Sequence, residues 1–275
     1  MNTNELVRLA QMRRADAVTM IHDAKTGHTG GAMSCLDVLT CLYYDVMKVN
    51  PTDPRMPDRD RFVLSKGHSV EGYLAILADL GFIQKEELRD FSREGSRLIG
   101  HPNVKTPGVE VCSGALGHGL PIGVGMAIAA KRTGQSYRTY VVMGDGEQAE
   151  GSVWEAAMAG AQYGLDNLWA IIDRNGLQIS GTTEQVMGLE DFAAKWRAFG
   201  WEVTELDGND MASLQDYFHN TPNNGKPHCL IAKTVKGKGL PFAEGRKEWH
   251  HKVPNDEQLQ QAYEALGVKG VDWRG

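Results

Sequence analysis

The sequence predicts an α/β fold, a mainly parallel sheet with helices on both faces. Short apolar runs recur along the chain with helical periodicities between them, and that order favours parallel strands covered on each side by crossover helices. The composition agrees: 41% of the 275 residues are hydrophobic and 23% are charged, as in an ordinary globular protein with a sizeable core.

Each element follows from local pattern. Residues 5–26 place Leu6, Leu9, Val18, Ile21 and Ala24 at helical spacing, with a cap at Thr3 or Asn4 and Gly27 as the stop. His28-Thr29-Gly30-Gly31 reads as a loop, and 34–47 as the next helix. Asn50, Pro51 and the polar stretch 54–60 form a proline-punctuated connection. The predicted strands are 61–64, 139–143, 168–172, 202–206 and 229–234, with helices over 70–80, 120–132, 152–163, 190–199 and 211–218. A last helix over 256–266 is capped by Asn255 or Asp256 and stopped by Gly267. The expected organisation is one domain over 1–268 and a short tail over 269–275.

Composition also excludes whole classes of function. The net charge is −6 with a pI near 5.9, and no basic tract is long enough to neutralise a run of nucleic-acid phosphates. No window reaches the roughly 18 consecutive apolar residues of a membrane span. The opening residues lack the basic and apolar regions of a secretion signal, so the expected compartment is the cytoplasm. Cysteines at 35, 41, 112 and 229 show no Cys-x-x-Cys pair and read as idle or buried thiols, with neither a disulfide framework nor a zinc site.

Gly144-Asp145-Gly146-Glu147 follows the strand at 139–143, and Asp173-Arg174-Asn175-Gly176-Leu177 follows the strand at 168–172. Alone, Gly-Asp-Gly is a strand-ending turn. Ligands in open parallel sheets gather at the carboxyl ends of strands, so Asp145 and Asn175 meet at one ion if these strands are neighbours. One carboxylate, one amide oxygen and a backbone carbonyl suit Mg²⁺ that also binds substrate phosphates. Glycines at 144 and 146 let backbone approach a diphosphate, and the helix near Ser152 offers further amide donors.

Histidines form a second group. Four of the nine directly follow glycine, as His28, His68, His101 and His118 do. Glycine is costly inside helices, so these imidazoles belong to loops, where they can bind phosphate and hydroxyl groups or move protons near neutral pH. Taken singly, each reads first as an ordinary surface or capping residue; the set is what carries weight. Ser65-Lys66-Gly67-His68 puts a cation and an imidazole at a strand end. The glycine-rich stretch 111–119 precedes an apolar helix. The turn at 234–239 contains Lys236, either a ligand contact or a solvated basic turn.

In this order, the segments at Gly27-His28, 62–68, Gly100-His101-Pro102, Gly114-Ala115-Leu116-Gly117, Gly144-Asp145-Gly146, Asp173-Arg174-Asn175, Lys236 and Trp249-His250 resemble the thiamine-diphosphate-binding amino-terminal half of transketolase. The likeness extends over about residues 5–268. It implies the diphosphate-binding domain of that fold, with Asp145, Asn175 and the Leu177 carbonyl holding Mg²⁺ or Ca²⁺. His68, Gly114, Leu116, Gly146, Asn175, Gln178, Lys236 and His250 would contact thiamine diphosphate. His28, His68, His101 and His250 would face the donor sugar as catalytic groups.

The implied reaction moves a two-carbon ketol unit from a ketose, expected to be a sugar phosphate, to an aldose. A full transketolase continues into a pyrimidine-binding domain and a carboxy-terminal domain. The resemblance therefore implies an amino-terminal subunit of a split transketolase, active only with a C-terminal partner subunit in an α2β2 assembly. Two positions depart from the family: Thr29 replaces the proline of its His-Pro, and His118 replaces the glutamine of its Leu-Gly-Gln-Gly turn. The alternatives are the α subunit of a 2-oxo-acid dehydrogenase, which shares the metal motif, and a non-catalytic diphosphate-binding subunit.

Overall fold

The computed structural model describes residues 1–273; of the predicted tail, Arg274 and Gly275 lie outside the described residues. Helix α1 (Thr3–Ala24) begins in a capping box between Asn2 and Glu5, one residue before the expected cap, and ends at Lys25 in the left-handed region. The predicted helix 34–47 is instead α2 (Thr29–Ser34), α3 (Leu36–Cys41) and a π-helical turn over Leu42–Val46. Gly30 and Gly31, read as loop, are helical and buried. A Cβ on Gly30 would lie 2.8 Å from the Trp249 carbonyl, so glycine permits a contact that outweighs its poor helix propensity.

Strand β1 (Arg61–Leu64) leads through a 3₁₀ turn, Gly67–Ser69, into α4 (Val70–Asp79). After a long irregular stretch come α5 (Gly119–Thr133), β2 (Thr139–Gly144), a 3₁₀ turn at Gly146–Ala149, α6 (Gly151–Gln162) and β3 (Leu168–Arg174). Short helices α7 (Thr183–Val186) and α8 (Phe192–Ala198) precede β4 (Glu202–Asp207), α9 (Met211–Asn220), β5 (His228–Lys233) and α10 (Asp256–Leu266).

All strands pair in parallel, in the order β1-β2-β3-β5-β4. Side chains alternate across the sheet as period-two geometry requires. Phe62, Leu64, Tyr140, Val142, Ile171 and Leu230 pack with α1, α3, α4 and α9 on one face. Val63, Val141, Met143, Ile172 and Ile231 pack with α5, α6 and α8 on the other. The predicted architecture, a parallel sheet buried on both faces, is the observed one. A third apolar cluster joins α1 to α10 and the 240–249 segment, and Trp273 is buried with its indole donating to Asp23 at 3.3 Å.

Among the described residues no helix is long and apolar enough to cross a membrane. All four cysteines are unpaired; Cys35, Cys41 and Cys229 are buried and Cys112 is exposed.

Candidate functional site

Strands β2 and β3 are adjacent, with Gly144 in register with Asp173, so their carboxyl ends bring Asp145 and Asn175 together. A cleft of about 400 Å³ opens there. Every residue predicted for the site lines it except His101, which flanks it with its ring centroid 6.0 Å from that of His28.

At the floor, Asp145 is buried and accepts from the backbone N–H groups of Gly146 at 2.8 Å and Gly176 at 2.6 Å. Arg174 donates at 3.3 Å to the same oxygen, Oδ2, that accepts from Gly176. Burial, reinforced by nearby Asp173, raises the Asp145 carboxyl above its ordinary value, a displacement that a bound cation would oppose. Asn175 donates through Nδ2 to Asp173 at 3.1 Å while its Oδ1 accepts from the Leu177 N–H at 3.1 Å. The Leu177 carbonyl accepts from Lys236 Nζ at 3.0 Å. Carboxylate, amide oxygen and carbonyl thus line one cleft, a hard-oxygen set of the kind magnesium takes.

Lys236 is buried, which rules out the solvated-turn reading. Burial, with Lys66 close by, lowers its ammonium to about 8. Beneath the cleft lies a pair that pattern reading missed. Lys66 and Asp173 form a buried ion pair. Lys66 also donates to the Gly31 carbonyl at 3.0 Å, and Asp173 accepts from Ser34 at 2.6 Å and from Thr234. Burial pulls the Lys66 ammonium down, but contact with Asp173 prevails and holds it charged. Buried charges persist when paired and fully hydrogen-bonded.

Glu147 was also missed in this role. It is buried and accepts from Gly117 N–H at 2.8 Å, Gly144 N–H at 3.0 Å and the Ser65 hydroxyl, stapling the two glycine turns to the end of β1. Gly114 (φ +149°) occupies backbone space that favours glycine, and a Cβ there would meet the His101 ring at 2.9 Å. At Gly146 a Cβ would press on Gln178 at 3.0 Å. The amide-bearing turn at the cleft is the 3₁₀ turn Gly146–Ala149, not the start of α6 as expected. The Ser152 hydroxyl at the start of α6 instead donates to the Gly117 carbonyl at 2.9 Å.

The imidazoles crowd one wall. Ring centroids of His68 and His250 lie 5.4 and 5.7 Å from that of His28, and 5.1 Å from each other. Burial is the largest cause of lowered basicity in each. It takes His28 to about 4, assisted by His251 and His101; His68 to about 2, assisted by Lys66; and His250 to about 3, assisted by Lys236. Burial lowers His101 as well. At neutral pH the wall is uncharged, able to donate and accept, while the cations sit at the floor. His250 Nδ1 lies 3.1 Å from Lys236 Nζ and so accepts from it, leaving the proton on Nε2.

His118 turns away. It is exposed at the start of α5, bonding Leu116 O through Nδ1 at 3.0 Å. Two further residues bear on the wall without having been singled out. Glu71, fully buried, accepts from His28 N–H at 2.7 Å, and His251 stands 4.6 Å from His28 by ring centroid. A lone glutamate in the apolar helix 70–78 and a doubled His250-His251 were the available signals.

Comparison with known proteins follows the same lines. Residues 6–272 match the family model described as transketolase, thiamine diphosphate binding domain. The chain is 52% identical over 263 residues to a protein of Phocaeicola vulgatus named as one of the subunits of apulose-4-phosphate transketolase, covering 95% of this chain and 94% of that protein. It is 38% identical to the 6-deoxy-6-sulfo-D-fructose transketolase subunit SqwG of a Clostridium species, covering 89% and 90%. The crystal structure of Campylobacter jejuni transketolase superposes with a TM-score of 0.95 at 30% identity. That match takes in 99% of this chain but 44% of the longer one, so the chain spans less than half of that transketolase. By both sequence and structure, the chain belongs to the transketolase family, within its thiamine diphosphate binding domain.

Proposed function

We propose that this chain is the amino-terminal subunit of a magnesium-dependent transketolase, moving a two-carbon ketol unit from a ketose phosphate to an aldose. The observation that carries the reading is the convergence of Asp145, Asn175, the Leu177 carbonyl and Lys236 on one cleft beneath neutral imidazoles. Asp145, Asn175 and Leu177 are the assigned ligands of Mg²⁺, with Ca²⁺ as a substitute. Lys236, His68, His250, Gly146, Gly114, Leu116, Asn175 and Gln178 are the assigned contacts of the cofactor. The close backbone approach at Gly146 and the Lys236 ammonium, held by a carbonyl and an imidazole rather than by a carboxylate, fit a diphosphate.

Bound there, thiamine diphosphate supplies a nucleophilic carbon and an electron sink for cleaving the bond beside a ketose carbonyl. The chain's own residues do the rest. Lys236 neutralises charge, and Lys66-Asp173 fixes the floor. His28, His68, His101 and His250 are the assigned catalytic imidazoles, exchanging protons with substrate hydroxyls and donating to developing oxyanions.

We assign residues 1–268 to a single diphosphate-binding domain. The required partner is a second subunit carrying the pyrimidine-binding and carboxy-terminal domains, in an α2β2 complex. Support comes from the names of the Phocaeicola and Clostridium relatives, which are those of transketolase subunits, and from the length of the Campylobacter protein. Four unpaired cysteines support a reducing, cytoplasmic setting. Apulose 4-phosphate is the first donor to test, because it is in the names of relatives 52% and 47% identical to this chain. Purified chain is mixed with its partner, thiamine diphosphate and Mg²⁺, and ketol transfer is followed by mass spectrometry. Transfer that needs both polypeptides and the metal is expected; full transfer by this chain alone would overturn the split reading.

A further inference from the structure

Thr29, where the family carries proline, is fully buried, and its hydroxyl donates to the Lys252 carbonyl at 2.6 Å. Proline has no hydroxyl and could not make this bond. The bond ties the first turn of α2 to the segment after buried Trp249. Lys252 is held a second time, its ammonium 5.0 Å from the centre of the Trp249 ring. His251 directly precedes this twice-held residue.

His251 is exposed, with its imidazole edge-on to His28 at 4.6 Å and 68°. His28 is itself pinned by its backbone N–H bond to buried Glu71. The pair is therefore held through both of its members. His251 extends the imidazole wall outward, beyond the residues that line the cleft and toward solvent.

We infer that His251 is a specificity-determining residue. Its imidazole would contact hydroxyl groups of the ketose donor lying beyond the bond that is cleaved, and Thr29 would act as the residue that positions it. This rests on the ketol-transfer reading above. A polyhydroxylated chain is the ligand class that suits it, because an imidazole at the edge of a wall of neutral imidazoles offers a donor and an acceptor for hydroxyls. The position leaves the diphosphate floor untouched.

The test uses the two-subunit complex loaded with thiamine diphosphate and Mg²⁺, comparing wild type with His251→Ala, Thr29→Val and Thr29→Ser. Loss of one hydrogen bond to substrate predicts that His251→Ala raises donor KM about five- to tenfold with kcat within about twofold. Thr29→Val, which keeps the shape and loses the hydroxyl, should raise KM in the same direction by a smaller factor, and Thr29→Ser should restore it. Cofactor affinity, measured by calorimetry, should be the same in all four proteins. An active wild-type complex whose donor KM is unmoved by His251→Ala overturns this inference and leaves the ketol-transfer reading standing. A KM shift in His251→Ala but not in Thr29→Val removes Thr29 from it. A wild-type complex that binds cofactor yet transfers no ketol unit overturns the underlying reading, and the inference with it.

Discussion

Imidazoles occur at both ends of the sheet, half-buried at one and buried at the other. At the carboxyl ends of the strands stand His28, His68 and His250; at the amino end of β5 stands His228, stacked on Trp169 at 4.5 Å with Arg138 5.2 Å from the indole centre. Burial is the largest cause of lowered basicity in all of them. Each end also borders a concavity, of about 400 and about 340 Å³. What differs is convergence. At the amino end Lys131 pairs with Asp166 at 2.5 Å, Arg138 lies over the Trp169 ring, and the two ring nitrogens of His228 are without a partner within hydrogen-bond geometry. At the carboxyl end, a carboxylate, an amide, a carbonyl and two ammonium groups from separate strand ends face one space. Burial and a displaced pKa do not mark a site; groups brought together from several strand ends do.

The largest test of this contrast is Asp145→Ala. It removes the single carboxylate assigned to the metal, so magnesium-dependent binding of thiamine diphosphate should weaken on the order of 100-fold or more. Calorimetric titration of the chain measures it. Magnesium-dependent binding that survives unchanged would break the metal assignment.

Glu71 probes how the wall is held. Burial raises its carboxyl to about 7, well above an ordinary glutamate, with one oxygen on His28 N–H and the other unpartnered. Between about pH 4.5 and 7 the folded chain therefore keeps a proton that the unfolded chain has released. Stability from this group is fully present below about pH 4.5 and lost as pH rises through about 7, by roughly 3 kcal/mol at most. Glu71→Gln keeps the acceptor and cannot ionise. Urea unfolding from about pH 5 to about pH 8 should show a shallower decline in the variant than in wild type; equal slopes would mean that Glu71 ionises freely.

Lys236 has a smaller effect of known sign. Its ammonium is charged below about pH 8 and neutral above it, so affinity for the diphosphate should fall as pH rises through that value. Lys236→Met should bind about tenfold more weakly at about pH 7 and lose the pH dependence between about 7 and about 9. A binding curve that stays flat in wild type would detach Lys236 from the anion.

Much of this was open to the sequence, for reasons that differ by element. The strand positions follow from apolar runs that only a sheet buried on both faces requires, and the metal set follows from two such runs ending in adjacent turns. Strand β3 runs past the predicted end at Ile172 to Arg174, because Asp173 is polar yet buried against Lys66, a partner 107 residues away that no local pattern reveals. The break in the helix predicted over 34–47 was hidden for a related reason. Gly30 and Gly31 look like loop until the Trp249 carbonyl closes on the first and the Ser69 hydroxyl on the second. Lys236 was ambiguous because burial of a basic turn depends on what covers it.

The smallest effect belongs to the amino end, and it is the control for the comparison. His228→Phe keeps a flat ring against Trp169 and removes two ring nitrogens that have no hydrogen-bond partner. Loss of unsatisfied buried polar atoms favours the folded state by up to about 1 kcal/mol, against a small cost for the bulkier ring. The unfolding midpoint in urea should stay level or rise slightly, and affinity for thiamine diphosphate should stay within about twofold of wild type. A large loss of cofactor affinity in this variant would show that the two ends are coupled, and that neutral imidazoles at the amino end serve the cleft as well.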